Sequence, residues 1–165
     1  MKKFILLSAA ILTMTSCQQP PKQYSEAGPE IDMIKKGNKA YVDRDWATLR
    51  SLYADTAKVA DNVWTPDKFI TVDQFIDAIK KDAENFSEVK LSDDGVYNMI
   101  VSDKGEKWVL NWINWTGKMK NGKEVSAPIH LAFRIAGDKV AFQVNFYNQL
   151  PGYLAMQPTD STKMK

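Results

Sequence analysis

Residues 108–147 read WVLNWINWTGKMKNGKEVSAPIHLAFRIAGDKVAFQVNFY, a stretch in which three apolar runs each alternate with a period of two. That period places successive side chains on opposite faces of a strand. Asn121-Gly122 and Ala136-Gly137-Asp138 separate the runs by a few residues only. Such spacers suit hairpin turns and leave no room for a crossover helix. Upstream, Val96 to Val101 forms a similar run, set off from Trp108 by Asp103-Lys104-Gly105. The expectation is an antiparallel meander with strands over Val96 to Val101, Trp108 to Met119, Val125 to Ile135 and Val140 to Tyr147.

The first half has a different period. Pro29 can open a helix, and Ile31, Ile34 and Tyr41 recur at helical spacing with Gly37 interrupting, so Glu30 to Val42 reads as one amphipathic helix. Asp45 can cap a shorter helix whose apolar face carries Trp46, Leu49, Leu52 and Tyr53. Thr71-Val72-Asp73-Gln74 is a capping-box pattern with Ile70 and Phe75 placed as a hydrophobic staple, and Ile76, Ile79, Ala83 and Phe86 continue the stripe. Helices followed by a strand meander give an α+β class.

A chain of 165 residues fits one domain. With 44% apolar and 25% charged residues, its composition is that of a folded globular protein. The formal charge is +2, and Lys2 and Lys3 account for that excess, since without them 20 basic residues face 20 acidic ones. A neutral chain without a basic cluster has no electrostatic footprint for nucleic acid and no polybasic membrane patch. One Cys and one His exclude a disulfide framework, a Cys-rich zinc site and a multi-histidine metal centre. No cofactor or metal is expected, and any chemistry falls to carboxylates, amides or phenols.

The N-terminus reads as an address. Lys2 and Lys3 precede an apolar run of eleven residues, Phe4 to Met14, where a bilayer-spanning helix needs roughly 20. The run ends in Met14-Thr15-Ser16-Cys17, which resembles the bacterial lipobox, with Met14 in place of the usual Leu, Val or Ile. Residues 1–16 are expected to be a lipoprotein signal peptide and Cys17 the lipidated N-terminus of an exported protein anchored in the bacterial cell envelope; an ordinary signal peptide with an incidental Cys is the alternative. Residues 17–28 have the composition of a flexible tether, 29–156 form the domain, and 157–165 are a polar tail.

Lys39 to Val59, with Asp45-Trp46-Ala47-Thr48-Leu49 leading into Leu52-Tyr53-Ala54-Asp55, resembles the opening of the NTF2-like superfamily, especially its SnoaL-like branch. Trp112 to Gly117, Gly122-Lys123, Ala127-Pro128-Ile129, Phe133-Arg134-Ile135, Gly137, Val140 and Asn145 to Met156 resemble its later strands and terminal turn. The resemblance implies a cone of three N-terminal helices packed on a curved antiparallel sheet, an apolar cavity between them, and a homodimer through the sheet. It spans isomerases, cyclases, dehydratases, hydrolases and non-catalytic domains, so the fold leaves activity open.

The resemblance to ketosteroid isomerases puts Asp61 at the position of their general base. Beside Trp64 and Phe69 it would face an apolar cavity; as a turn or cap residue its carboxylate would simply be solvated. Gly37 stands where those enzymes carry an oxyanion-hole tyrosine, so Tyr41, one turn on, or His130 would have to donate the missing hydrogen bond. His130 shares the outer sheet face with Ala132 and Arg134, unless a bulge after Pro128 turns it inward, and the expected dimer uses an outer surface of His130, Arg134, Asn111 and Trp115. Trp112 reads as core, interface or pocket lining. Trp64, Trp112, Asn145 and Tyr147 are the candidate ligand contacts. Two functions follow: non-catalytic binding of a small apolar ligand or a protein partner, or a SnoaL-like isomerase, cyclase or lyase using Asp61 as base with Tyr41 or His130.

Overall fold

The computed structural model describes residues 24–157, so the expected signal peptide, Cys17 and nearly all of the polar tail lie outside the described residues. Helix α1 (Pro29–Val42) starts at Pro29 with Glu30 and Asp32 in its first turn, where acidic side chains complement the helix dipole. Its buried stripe is Ile31, Ile34, Gly37 and Ala40. Gly37 keeps that stripe low: a β-carbon there would stand 3.2 Å from Leu52. Helix α2 (Trp46–Ser51) is capped by Asp45, which accepts from the Thr48 N–H at 3.0 Å. Helix α3 (Val72–Ala83) opens on the reciprocal capping box of Thr71 and Gln74, and α4 (Leu150–Met156) closes the described chain.

The strands are β1 (Tyr24–Ser25), β2 (Tyr53–Asp61), β3 (Ile70–Thr71), β4 (Phe86–Leu91), β5 (Val96–Val101), β6 (Lys107–Met119), β7 (Glu124–Ala136) and β8 (Lys139–Tyr147). They form one sheet in the order β1-β5-β6-β7-β8-β2-β3, with β4 on the far half of β6. The hairpin turns carry Gly105, Gly122 and Gly137 at positive φ, the conformation that makes Gly the fitting residue there. Tyr24 and Ser25, inside the stretch that reads as tether, pair with Ile100 and Met99.

The architecture is thus mixed α+β with a curved open sheet, and it departs from the sequence expectation in two respects. The three helices are not consecutive. The second stops at Ser51, and Tyr53, expected on its apolar face, instead opens β2; Phe86 likewise belongs to β4 rather than to the stripe of α3. The sheet is also not wholly antiparallel, because β2 runs parallel to β8, a pairing between segments distant in sequence that no local turn signal announces.

Helices cover one face of the sheet. Ile31, Ile34, Leu49, Phe75 and Ile76 meet Val109, Phe133, Ile135 and Val140 there. Register fixes which residues of β6 join them: Asn111 pairs with Leu131 and Trp115 with Ala127, so both point to the helix side, and Asn111 is fully buried. That corrects the expectation of Asn111 and Trp115 on the outer surface. The outer face belongs to Trp108, Leu110, Trp112, His130, Ala132, Arg134, Phe142, Val144 and Phe146, with Phe69 folded over it.

One irregularity in β8 positions the site. Val140 pairs with Ile135 and Phe142 with Arg134, which leaves Ala141 as an extra residue. This is a β-bulge, and it inverts the side-chain parity of the strand. Val140 lies in the helix-side core, yet Phe142, Val144 and Phe146 turn outward, and Gln143, Asn145 and Tyr147 turn in beneath the helices.

Candidate functional site

The inward half of β8 is polar, and its side chains are joined in series. Tyr53, at the start of β2, donates its hydroxyl to Gln143 Oε1. Gln143 Nε2 donates to Asn145 Oδ1, and Asn145 Nδ2 donates to Asp61 Oδ1 at 2.9 Å. Tyr53, Gln143 and Asn145 are buried, at 6%, 4% and 4% exposure. Such groups are tolerated in a core only when each finds a partner, which the series supplies. Every donor points the same way, toward the Asp61 carboxylate. The hydroxyl of Tyr147 reaches both carboxylate oxygens at 3.4 Å.

Asp61 ends β2 and is held there by its neighbour. Asn62 has φ 56°, a left-handed conformation that Asn adopts more readily than most residues. Its N–H donates to the Asn145 carbonyl at 2.9 Å, its side-chain amide donates to the Tyr147 carbonyl at 3.0 Å, and its Oδ1 accepts from the Tyr147 N–H. Asn62 thereby clamps the ends of β2 and β8 together, and the clamp sets Asp61 against Asn145 and Tyr147.

These groups line a cavity of about 420 Å³ between the helices and the sheet. Its walls are apolar for the most part, with Ile34, Leu49, Phe75, Leu131 and Phe133 among them. Tyr41 contributes a phenol whose oxygen accepts from Trp115 Nε1 at 3.0 Å. Burial pushes the Tyr41 and Tyr53 phenols above the usual tyrosine value, so both stay protonated donors. Tyr147 is shifted the same way, by burial first and then by the charges of Asp61 and Asp82. Asp82 stands at the rim on the last turn of α3, exposed on its outer side; partial burial, and next the facing Asp61 charge, push its carboxyl above the ordinary aspartate value.

Asp61, Tyr41, Asn145 and Tyr147 therefore share one cavity, whereas three other sequence candidates lie elsewhere. His130 sits on the outer face with its ring 4.6 Å from Trp112 and stacked toward Phe146; the chain after Pro128 keeps register with both neighbours, so no bulge turns it inward. Burial lowers its imidazole below the usual value. Trp112 is 43% exposed on that face, and Trp64, 64% exposed, lies edge-on to Phe69 and Phe142 beside it. The structure brings none of the three to Asp61: a sheet separates His130 and Trp112 from it, and Trp64 turns outward after Asn62.

Sequence reading missed Tyr53, Gln143, Asn62 and Asp82. Asp82 had a signal, since it falls three residues beyond Ile79 and seven beyond Phe75 on the stripe of α3. Gln143 had none, because its direction depends on the bulge at Ala141. Among the described residues no three His, Cys, Asp or Glu side chains come together as a metal site.

Solved structures share this architecture. AclR of Streptomyces galilaeus, named as a hydroxylase, superposes with a TM-score of 0.63 at 14% identity over 81% of this chain and all of its own. A Shewanella putrefaciens protein named as a SnoaL-like polyketide cyclase gives 0.59 at 19% identity, covering 80% of this chain and 100% of that one. The chain has an NTF2-like fold. A third NTF2-like neighbour, from Catenulispora acidiphila, has a ketosteroid isomerase-like fold and was solved in complex with trimethylamine; its TM-score is 0.58 at 12% identity, over 73% of this chain and 88% of that one. No protein-family profile and no curated protein matches the sequence. At these identities the NTF2-like likeness is one of fold, and function has to be argued from the cavity.

Proposed function

We propose that this chain is a lipid-anchored protein of the bacterial cell envelope whose NTF2-like cavity holds a small, largely apolar ligand without converting it. The observation that carries this reading is the 420 Å³ cavity with apolar walls and one polar end, where Asp61, Asn145 and Tyr147 converge. An apolar body with a single polar head group matches that distribution, since apolar walls supply affinity and the few polar groups set orientation. Leu131→Trp places an indole in the cavity. Calorimetry with naphthylmethanol as a probe should give saturable binding to the full-length protein and none to this variant; equal binding by both would refute the reading.

A second reading, proton transfer by Asp61 on a carbonyl-activated carbon, is favoured by the Tyr147 hydroxyl beside the carboxylate and by the polyketide cyclase names among its fold neighbours. Against it, His130 lies beyond the sheet; Tyr41 does not count against it, since its hydroxyl accepts from Trp115 and keeps its own proton to donate. Turnover of a carbonyl substrate that vanishes in Asp61→Asn would decide for catalysis, because the amide keeps shape and loses basicity.

The anchor and the dimer belong to the same proposal. Cys17 should incorporate a fatty-acid analogue, and Cys17→Ala should lose both the label and membrane fractionation; retention of both would remove the anchor. The outer sheet face presents Trp112 and Phe146 at 43% and 45% exposure. A second copy laid on that face would cover the aromatics. Light scattering should find a dimer that Trp112→Glu converts to monomer, and a wild-type monomer at tens of micromolar would overturn this.

A further inference from the structure

We propose that the cavity selects a cationic ligand, an amine with an apolar body, whose positive head group lies between Asp61 and Asp82. The inference rests on the binding reading above and names the class of molecule bound. Its first ground is the charge of the lining. Among the described residues, the carboxyl side chains that line the cavity are Asp61 and Asp82, and no Lys, Arg or His contributes to the wall. Among the described residues no cation forms an ion pair with either carboxylate. Lys81, the neighbour of Asp82 along α3, bears on it without pairing. Two like charges facing one another over an apolar cavity are unfavourable until a positive charge comes between them.

The second ground is the buried series itself. Tyr53, Gln143 and Asn145 direct their donors in sequence, so that Asp61 receives N–H and offers only acceptor lone pairs to the cavity. A carboxyl group so arranged favours a donor head group. A ligand carboxylate or phosphate would meet two acidic groups and no cation. The third ground is the wall: Tyr41, Phe75, Trp115, Phe133 and Tyr147 line the same cavity, and aromatic surfaces stabilise organic cations. Asp61 fixes the cation on the inside, and Asp82, at the rim of α3, is the gatepost past which it enters.

Three probes with one apolar body and different heads test this: naphthylmethylamine, naphthylmethanol and naphthylacetate, titrated calorimetrically into the full-length protein near neutral pH. The amine is expected to bind about tenfold or more tighter than the alcohol, and the carboxylate weakest, as one close charge pair in a partly desolvated site implies. Asp61→Asn and Asp82→Asn should each shrink the ratio of amine to alcohol affinity severalfold, the former more because Asp61 is the less exposed. Because Asp82 is at the surface its variant keeps the fold, so the test survives if Asp61→Asn does not. An alcohol that binds as tightly as the amine, or an amine preference that outlasts both substitutions, overturns the cation class while leaving the cavity reading intact, with Leu131→Trp still abolishing alcohol binding. If none of the three probes binds, both readings fall.

Discussion

Replacing Asn145 by leucine is expected to destabilise the protein by about 2 to 5 kcal/mol, since each buried polar group left without a partner typically costs about 1 to 3 kcal/mol. Asn145 is the middle link of a series: it accepts from Gln143 and donates to Asp61, so a leucine of similar shape strands a donor on one side and weakens the hold on a carboxylate on the other. The direction of the series makes a sharper expectation. If Tyr53→Phe and Gln143→Met are combined with Asn145→Leu, no amide or phenol remains stranded in the core, and replacing a whole buried polar set by apolar side chains is often neutral or better. The triple variant should therefore recover most of the stability lost by the single one, while losing the preference for a cationic probe. Urea denaturation of the three single variants and the triple measures this. Additive losses would mean that the groups are not coupled, and that the series does not orient Asp61.

Gly117→Ala should destabilise by about 1 to 3 kcal/mol, the usual range for overfilling a packed interior. Gly117 lies inside β6 between Val89 and Val125, and a β-carbon there would come within 2.7 Å of the Phe86 ring and 2.4 Å of the Trp115 ring. Those two rings meet edge to face at 5.2 Å, and Phe86 is buried. Neither can yield alone. Displacing the indole also breaks its hydrogen bond to Tyr41, a loss on the order of 1 kcal/mol, and alters the cavity wall both residues form. Tryptophan emission and the chemical denaturation midpoint should shift together, with naphthylmethanol binding weakened. A variant as stable as wild type, with unchanged emission, would show that the rings rearrange freely.

The parts of this molecule that were legible in its sequence are those with local causes. Thr71 and Gln74 sit three residues apart and announce the start of α3, and the glycines at 105, 122 and 137 mark turns that join strands next to one another. The strands of the meander fall within a residue of their expected bounds for the same reason. Tyr53 was misplaced because the apolar spacing of Leu49, Leu52 and Tyr53 suits a helix, while its actual partner, Val140, lies far along the chain. Asp61, Asn145 and Tyr147 were found as single residues. Their connection was hidden, since it requires β2 beside β8 in parallel and an inversion of parity midway along β8. The outer surface was half wrong: Asn111 was grouped with His130 and Arg134, although its partner across the ladder is Leu131 and paired residues share a face.

The extra residue in β8 also bears on how such a protein can arise. Were Ala141 paired in strict alternation rather than bulged, Phe142, Val144 and Phe146 would fall on the face that Val140 occupies, and the helices would close over a hydrocarbon interior with Gln143, Asn145 and Tyr147 on the outer face. The pairing of a single residue thus separates a solid interior from a hollow one, with no side chain exchanged for another. Kinship traced by counting substitutions at matched positions is blind to a step of that kind, which alters the environment of every side chain downstream while leaving its identity untouched.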